Sequence, residues 1–202
     1  MKKRLKNLLN VLSQWLMLPL TLPCKFEEKL ISKDVEIIFN ICTHMVAMLP
    51  GLPGVFLRRG FYSIALEHCS LESHIGFGTI FSHRATRVAD HVYIGSYTLI
   101  GSAIIGEHCL IGSRASILSG TALHILDDDG TWTPYSPERL ERITLQPNVW
   151  IGEGAIVAAN IGQGSMIGAG CVVTTPVKPQ VIMAGNPARF VRKLEPESRF
   201  NT

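Results

Sequence analysis

Seven histidines and a run of three carboxylates are the side chains here best suited to chemistry near neutral pH. His44, His68, His74, His83, His91, His108 and His124 are spread along the chain, and Asp127, Asp128 and Asp129 follow the last of them. An imidazole, with an ordinary pKa of about 6.5, can accept a proton from a reacting hydroxyl or bind a metal through its neutral nitrogen. His74, His91 and His108 recur at intervals of 17 residues, so a metal site of stacked histidines is one arrangement to weigh. The five cysteines (Cys24, Cys42, Cys69, Cys109 and Cys171) form no CxxC pair and have no regular spacing. That pattern indicates neither a disulfide framework nor a thiolate zinc site, and it fits a reducing cytosol.

The element that must position these groups is legible from a change of period. Aliphatic residues recur every six positions, usually followed by glycine: Ile94-Gly95, Ile100-Gly101, Ile105-Gly106 and Ile111-Gly112, then Ile117 and Leu123. A second series runs through Leu145, Ile151-Gly152, Val157, Ile161-Gly162, Ile167-Gly168 and Val173, and a weaker one upstream through Cys69, Ile75, Phe81 and Val88. The count slips between Ile100 and Ile105 and between Val157 and Ile161, and resumes at once. Four residues after the aliphatic stand small side chains: Thr98, Cys109, Ala115, Thr121, Ala155, Ser165 and Cys171. A helix repeats near 3.6 and a strand at 2, so a period of six predicts short strands and turns wound into a parallel β-helix, a solenoid that buries its apolar faces by stacking. Glycine is expected at the corners for its access to positive φ. Cys109 and Cys171 fall in the small inward register, where their role is volume.

The period divides the chain into a helical extension over 1–60, a solenoid over 61–185 and a tail or short C-terminal helix over 186–202. Residues 125–143, rich in Asp, Gly, Pro, Trp and Tyr, break the repeat and are expected to leave one corner as a functional loop. In the extension Pro23 is expected to end a first helix, and Pro50, Gly51, Pro53 and Gly54 mark a boundary. Lys2, Lys3, Arg4 and Lys6 precede an apolar run over Leu8 to Leu22. That run is shorter than the ~20 residues of a spanning helix, and it lacks a small-x-small cleavage site. A helix packed on the body, one lying on the membrane surface and a membrane signal remain open for it.

Hydrophobic residues make up 47% and charged residues 17% of the 202 positions, which excludes a disordered chain and allows one full core. A net charge of +3 with 7% aromatics gives no interleaved basic and aromatic surface, so nucleic acid is not an expected partner.

The repeats, with Thr121-Ala122-Leu123-His124, Asn148-Val149-Trp150-Ile151-Gly152, Ile167-Gly168-Ala169-Gly170-Cys171-Val172-Val173-Thr174 and Ala184-Gly185-Asn186-Pro187-Ala188-Arg189, make the chain resemble the hexapeptide-repeat acyltransferases. The likeness runs from about residue 62 to Lys193. It is nearest to the branch of maltose, galactoside and xenobiotic acetyltransferases and to the sugar acetyltransferases of polysaccharide synthesis. The resemblance implies a mainly β fold, a left-handed parallel β-helix assembled as a homotrimer, to which the residue pattern adds an N-terminal helical extension and a short C-terminal helix. It implies an acetyl-CoA-dependent O-acetyltransferase acting on a sugar hydroxyl, with no metal expected. The cysteine pattern favours the cytoplasm, and the basic, apolar N-terminal segment leaves peripheral contact with the inner face of the membrane open.

In that branch the histidine just before the loop is the general base, which here is His124. It would take the acceptor's proton and return it to the leaving thiolate, while a backbone N–H or small side chain stabilises the oxyanion. A carboxylate or carbonyl should fix its tautomer, and Asp127 to Asp129 are candidates, although a solvated acidic turn reads as well. The coenzyme arm is implied near Gly152 and Ala169, with its adenine end near Thr174 and Thr175. Arg189 and Arg192 match terminal basic positions that meet phosphates. Relatives often carry Ser where this chain has Glu153 and Lys where it has Thr175, for which Lys178 is a substitute. His83, Asp127 and Trp150 are the acceptor-side candidates, with packing as the plainer role for Trp150. His91 and His108 read as outward turn residues, His68 and His74 as structural, and His44 as packed or capping. Transfer to an amine, a β-helical carbonic anhydrase-like metal protein and a non-catalytic scaffold are the alternatives.

Overall fold

A computed structural model of the chain describes residues 2–32, 34–120 and 123–194. Thr121, one of the small inward positions, lies outside them. Three helices, α1 (Lys2–Leu30), α2 (Ile37–Ala47) and α3 (Gly51–Ala65), precede a parallel β-solenoid whose first strand is His68–Cys69. Short strands alternate among three faces. One stacks His68–Cys69, Arg87–Val88, Ala103–Ile105 and Ile143–Leu145; the next runs from His74–Ile75 through Tyr93–Ile94, Leu110–Ile111, Trp150–Ile151 and Met166–Ile167 to Val181–Ala184. The third holds Ile80–Phe81, Leu99–Ile100, Ser116–Ile117, Ile156–Val157 and Val172–Val173.

Register explains why the aliphatics recur. Ile75, Ile94, Ile111, Ile151 and Ile167 form one pairing column, and Phe81, Ile100, Ile117, Val157 and Val173 another. All of them are buried, as are Thr98, Cys109, Ala115, Ala155, Ser165 and Cys171. Each coil alone has one row of apolar side chains, and stacking turns those rows into a continuous core. Leu123, expected to continue the series, is only half-buried, because the chain leaves the coil there.

The glycines require a correction. Those following the aliphatic, such as Gly95, Gly112 and Gly152, have no positive φ; a Cβ on Gly152 would stand 2.5 Å from the Ala169 backbone nitrogen. They are needed because successive coils approach too closely for any side chain. The left-handed corner falls two residues later, at Gly154 and Gly170, and is also taken by Arg114, His91 and His108.

The helical layer closes the open end of the solenoid. A terminal coil exposes unpaired carbonyls along its edge, and here Arg58 Nε donates to the Ile75 carbonyl at 3.0 Å and Arg59 to that of Ser73 at 3.0 Å. The Ala47 carbonyl accepts from the Gly78 N–H at 2.8 Å.

Three expectations differ in this layer and at the tail. α1 runs through Pro19 and Pro23 to Leu30, since both prolines face solvent, where water can meet the carbonyls their missing N–H groups leave free. Gly51 and Pro53 open α3, because proline is tolerated in a first turn. Instead of a C-terminal helix, Arg189–Lys193 forms a strand antiparallel to Val181–Ala184: Phe190 and Val191 favour extended backbone, and the last coil offers an edge to pair. Residues 195–202 of the expected tail lie outside the described residues.

Candidate active site

From Leu123 to Arg142 the chain stands outside the coil, and the first part of this segment is a tight hairpin. Leu126 bridges Trp132 antiparallel, the Thr133 N–H donates to the Ile125 carbonyl at 2.8 Å, and the Ile125 N–H donates to Thr133 Oγ1 at 2.9 Å. Asp127 to Gly130 form the turn. Gly130 adopts a φ of +82°, and Asp129 accepts from the Thr131 backbone and hydroxyl at 2.9 and 2.6 Å. That hydroxyl holds the Asp129 carboxyl below the usual carboxylate range.

The hairpin fixes His124. Its Nδ1 lies 2.8 Å from the Thr133 carbonyl oxygen, which can only accept. The neutral ring must therefore carry its proton on Nδ1, leaving the Nε2 lone pair unused. The orienting group is thus a loop carbonyl; the Asp127, Asp128 and Asp129 carboxylates are exposed at the turn.

His124 lines a cleft of about 720 Å³ with Leu118, Gly120, Leu123, Trp132, Ile156, Ala158, Val172 and Thr174. Its floor is the outward side of the third face of the solenoid, and its wall is the hairpin carrying Trp132. Gly120, at φ +93°, turns the chain where a side chain would meet Glu141. The volume and apolar lining suit a small-molecule site with few polar groups.

Of the residues singled out from sequence, His124 and Thr174 share this cleft. Gly152 and Ala169 stack on each other at a neighbouring corner, and Trp150 stands half-exposed on the second face between Leu110 and Met166. Thr175, Lys178, Arg189 and Arg192 are exposed beyond the third face and on the terminal strand. His83 is elsewhere: its Nδ1 lies 2.7 Å from Glu36 and its ring stacks on Tyr135, in a small depression with Asp34 and Leu140. Leu118, Ile156, Val172 and Trp132 were not anticipated. An aromatic in a loop was the available signal for Trp132, whereas outward strand residues carry none.

His91 and His108 are exposed corner residues whose rings stack at 5.0 Å. His74 lies on a strand and stacks on Tyr93, so the three do not form one column and the stacked-histidine arrangement loses its geometry. All five cysteines are buried free thiols. Burial pushes Cys24 and Cys69 up to about 12 and raises Cys109 and Cys171 as well, which disqualifies them as nucleophiles.

The family model described as "Hexapeptide repeat of succinyl-transferase" matches residues 102–123 and 147–175. A galactoside O-acetyltransferase of Lactococcus lactis is 33% identical over 159 residues, which are 72% of this chain and 69% of that protein. A Schizosaccharomyces pombe protein named as an acetyltransferase is 51% identical over 95 residues, 46% of this chain; the chain spans 44% of that protein's length. Among solved structures, a hexapeptide-repeat acetyltransferase of Vibrio cholerae complexed with acetyl coenzyme A superposes with a TM-score of 0.64 at 22% identity, over 81% of this chain and 91% of that one.

Proposed function

The chain belongs to the hexapeptide-repeat acetyltransferases, and on that premise we propose that it transfers an acetyl group from acetyl-CoA to a hydroxyl of a sugar or polysaccharide precursor, with His124 as general base. One observation carries the reading: the 2.8 Å contact from His124 Nδ1 to the Thr133 carbonyl, at the mouth of an apolar cleft. It leaves Nε2 as the acceptor on the open side of the ring.

The coenzyme supplies a thioester carbonyl and a thiolate leaving group. His124 Nε2 removes the proton from the acceptor hydroxyl as its oxygen bonds to the carbonyl carbon. The C–S bond then breaks, and the imidazolium returns the same proton to the departing sulfur. Leu118, Ile156 and Val172 give the cleft an apolar floor, and substrates that cover it displace water and strengthen the charge interactions of the step. The slender coenzyme arm suits a floor with Gly120 and Ala158, and Gly152, Ala169, Thr174, Thr175, Lys178, Arg189 and Arg192 are proposed along its path toward the phosphates and adenine. His83, Asp127 and Trp150 are proposed on the acceptor side, completed by a neighbouring subunit of a homotrimer. The buried, protonated thiols fit a cytoplasmic setting.

The test is to incubate the purified protein with acetyl-CoA and a panel of galactosides, maltosides and amino sugars, and to analyse the product. An acetyl ester on a sugar supports the reading. An amide alone, or no transfer to any acceptor, overturns it.

A further inference from the structure

α1 is inside out. The side it turns toward the protein carries Asn10, Ser13, Thr21 and Glu27, all buried, with Met17 and Cys24 between them. The side it turns to solvent carries Leu5, Leu8, Leu12, Trp15, Pro19, Leu22 and Phe26, which recur at three and four residues and form one continuous stripe. Trp15 is 68% and Leu16 65% exposed. Ile37, Ile41 and Met45 of α2 and Leu52 of α3 are exposed as well. Between α1 and α3 runs a groove of about 330 Å³ lined by Leu9, Leu12, Leu16, Leu52 and Phe56. An exposed apolar surface that runs from the α1 stripe into this groove marks an interaction site.

Charge identifies the occupant. Residues 1–26 contain Lys2, Lys3, Arg4, Lys6 and Lys25 and no Asp or Glu. Lys6 pairs with Glu72 and Lys25 with Glu28, while Arg4 is exposed beside the stripe. A second copy of this face would bring basic residues and no carboxylate from those 26 positions. Anionic headgroups neutralise them, acyl chains accept the leucines and phenylalanine, and Trp15 suits the boundary between the two. Among the described residues no helix is long and apolar enough to cross a membrane.

We propose that the outer face of the three-helix layer docks on an anionic phospholipid bilayer, with α1 in the plane of the interface. The experiment is co-sedimentation of the full chain with vesicles of phosphatidylcholine alone or mixed with phosphatidylglycerol, alongside its mass by sedimentation equilibrium. Two variants accompany it: Leu12→Glu with Trp15→Glu, and Lys2→Gln with Lys3→Gln and Arg4→Gln. A thermal melt checks that both variants keep the fold. Binding to the anionic vesicles that weakens with salt, and falls roughly tenfold or more in both variants, is the expected result. No binding, or equal binding to neutral vesicles, overturns the proposal. So does a drop in oligomeric mass in the Leu12/Trp15 variant without vesicle binding, which would give the face to another copy of the chain.

Discussion

The Glu27 carboxylate lies 2.6 Å from the Arg84 guanidinium, with both side chains buried between α1 and the solenoid. The same carboxylate accepts from the Ile38 and Phe39 N–H groups at 2.8 and 3.2 Å, and so caps a helix to which it does not belong. Arg84 in turn donates to the Cys24 and Val35 carbonyls. One ion pair therefore ties α1, the start of α2 and the first coil together. Arg84 also lies 3.6 Å from Glu36, and Glu27 keeps its two N–H donors, so Glu27→Gln or Arg84→Met should each cost about 3 kcal/mol of unfolding free energy, the low end for a broken buried pair. Chemical denaturation measures it, and the double variant should cost less than the sum of the two.

Burial pushes the Glu27 carboxyl up, but the Ile38 and Phe39 N–H groups and the Arg84 guanidinium outweigh it and hold the group below the usual carboxylate range. A folded-state pKa below the unfolded one contributes stability that is present above the unfolded value and lost as pH falls through the folded value. The melting temperature of the wild-type protein should therefore exceed that of Glu27→Gln at neutral pH, and the gap should close in acid.

Gly112 and Gly170 should separate the two reasons for glycine in this fold. A Cβ on Gly112 would lie 2.6 Å from the Glu153 nitrogen in the next coil, so Gly112→Ala should force coils apart at a cost of about 1–3 kcal/mol. Gly170 has a φ of +65° and open space around its Cβ, so Gly170→Ala should cost about 1–2 kcal/mol from backbone conformation alone. Gly112→Val should be worse than Gly112→Ala, because the clash grows with the side chain, whereas the cost at Gly170 should level off.

The Thr133 hydroxyl braces the hairpin that orients His124, through its bond to the Ile125 N–H. Thr133→Ala keeps the carbonyl but loosens its position, and should lower kcat about tenfold or more with a smaller effect on KM. Thr133→Ser, which keeps the hydroxyl, should restore most of the rate.

The solenoid was legible because each coil must bury one aliphatic and one small residue, so Ile94, Ile111 and Ile151 repeat the same constraint. The break in that repeat marks the loop, and His124 is singled out beside it only through the family likeness. What escaped was of two kinds. Contacts between distant segments, such as Arg84 with Glu27 or Arg59 with Asn10, leave no local pattern, and neither does the polar inner face of α1. Backbone groups leave none either: the Thr133 carbonyl orients the imidazole, yet no residue type announces a carbonyl, whereas Asp127 to Asp129 stand out by type alone. Pro23 misled because its effect depends on which side of α1 faces water.

The central claim, that the His124 imidazole moves the proton in acetyl transfer, is tested most directly by thiol release from acetyl-CoA in the presence of a sugar acceptor, wild type against His124→Ala at matched fold and coenzyme affinity. The rate should fall by about 10²–10⁴-fold. A variant that releases thiol and esterifies the acceptor at the wild-type rate would contradict it.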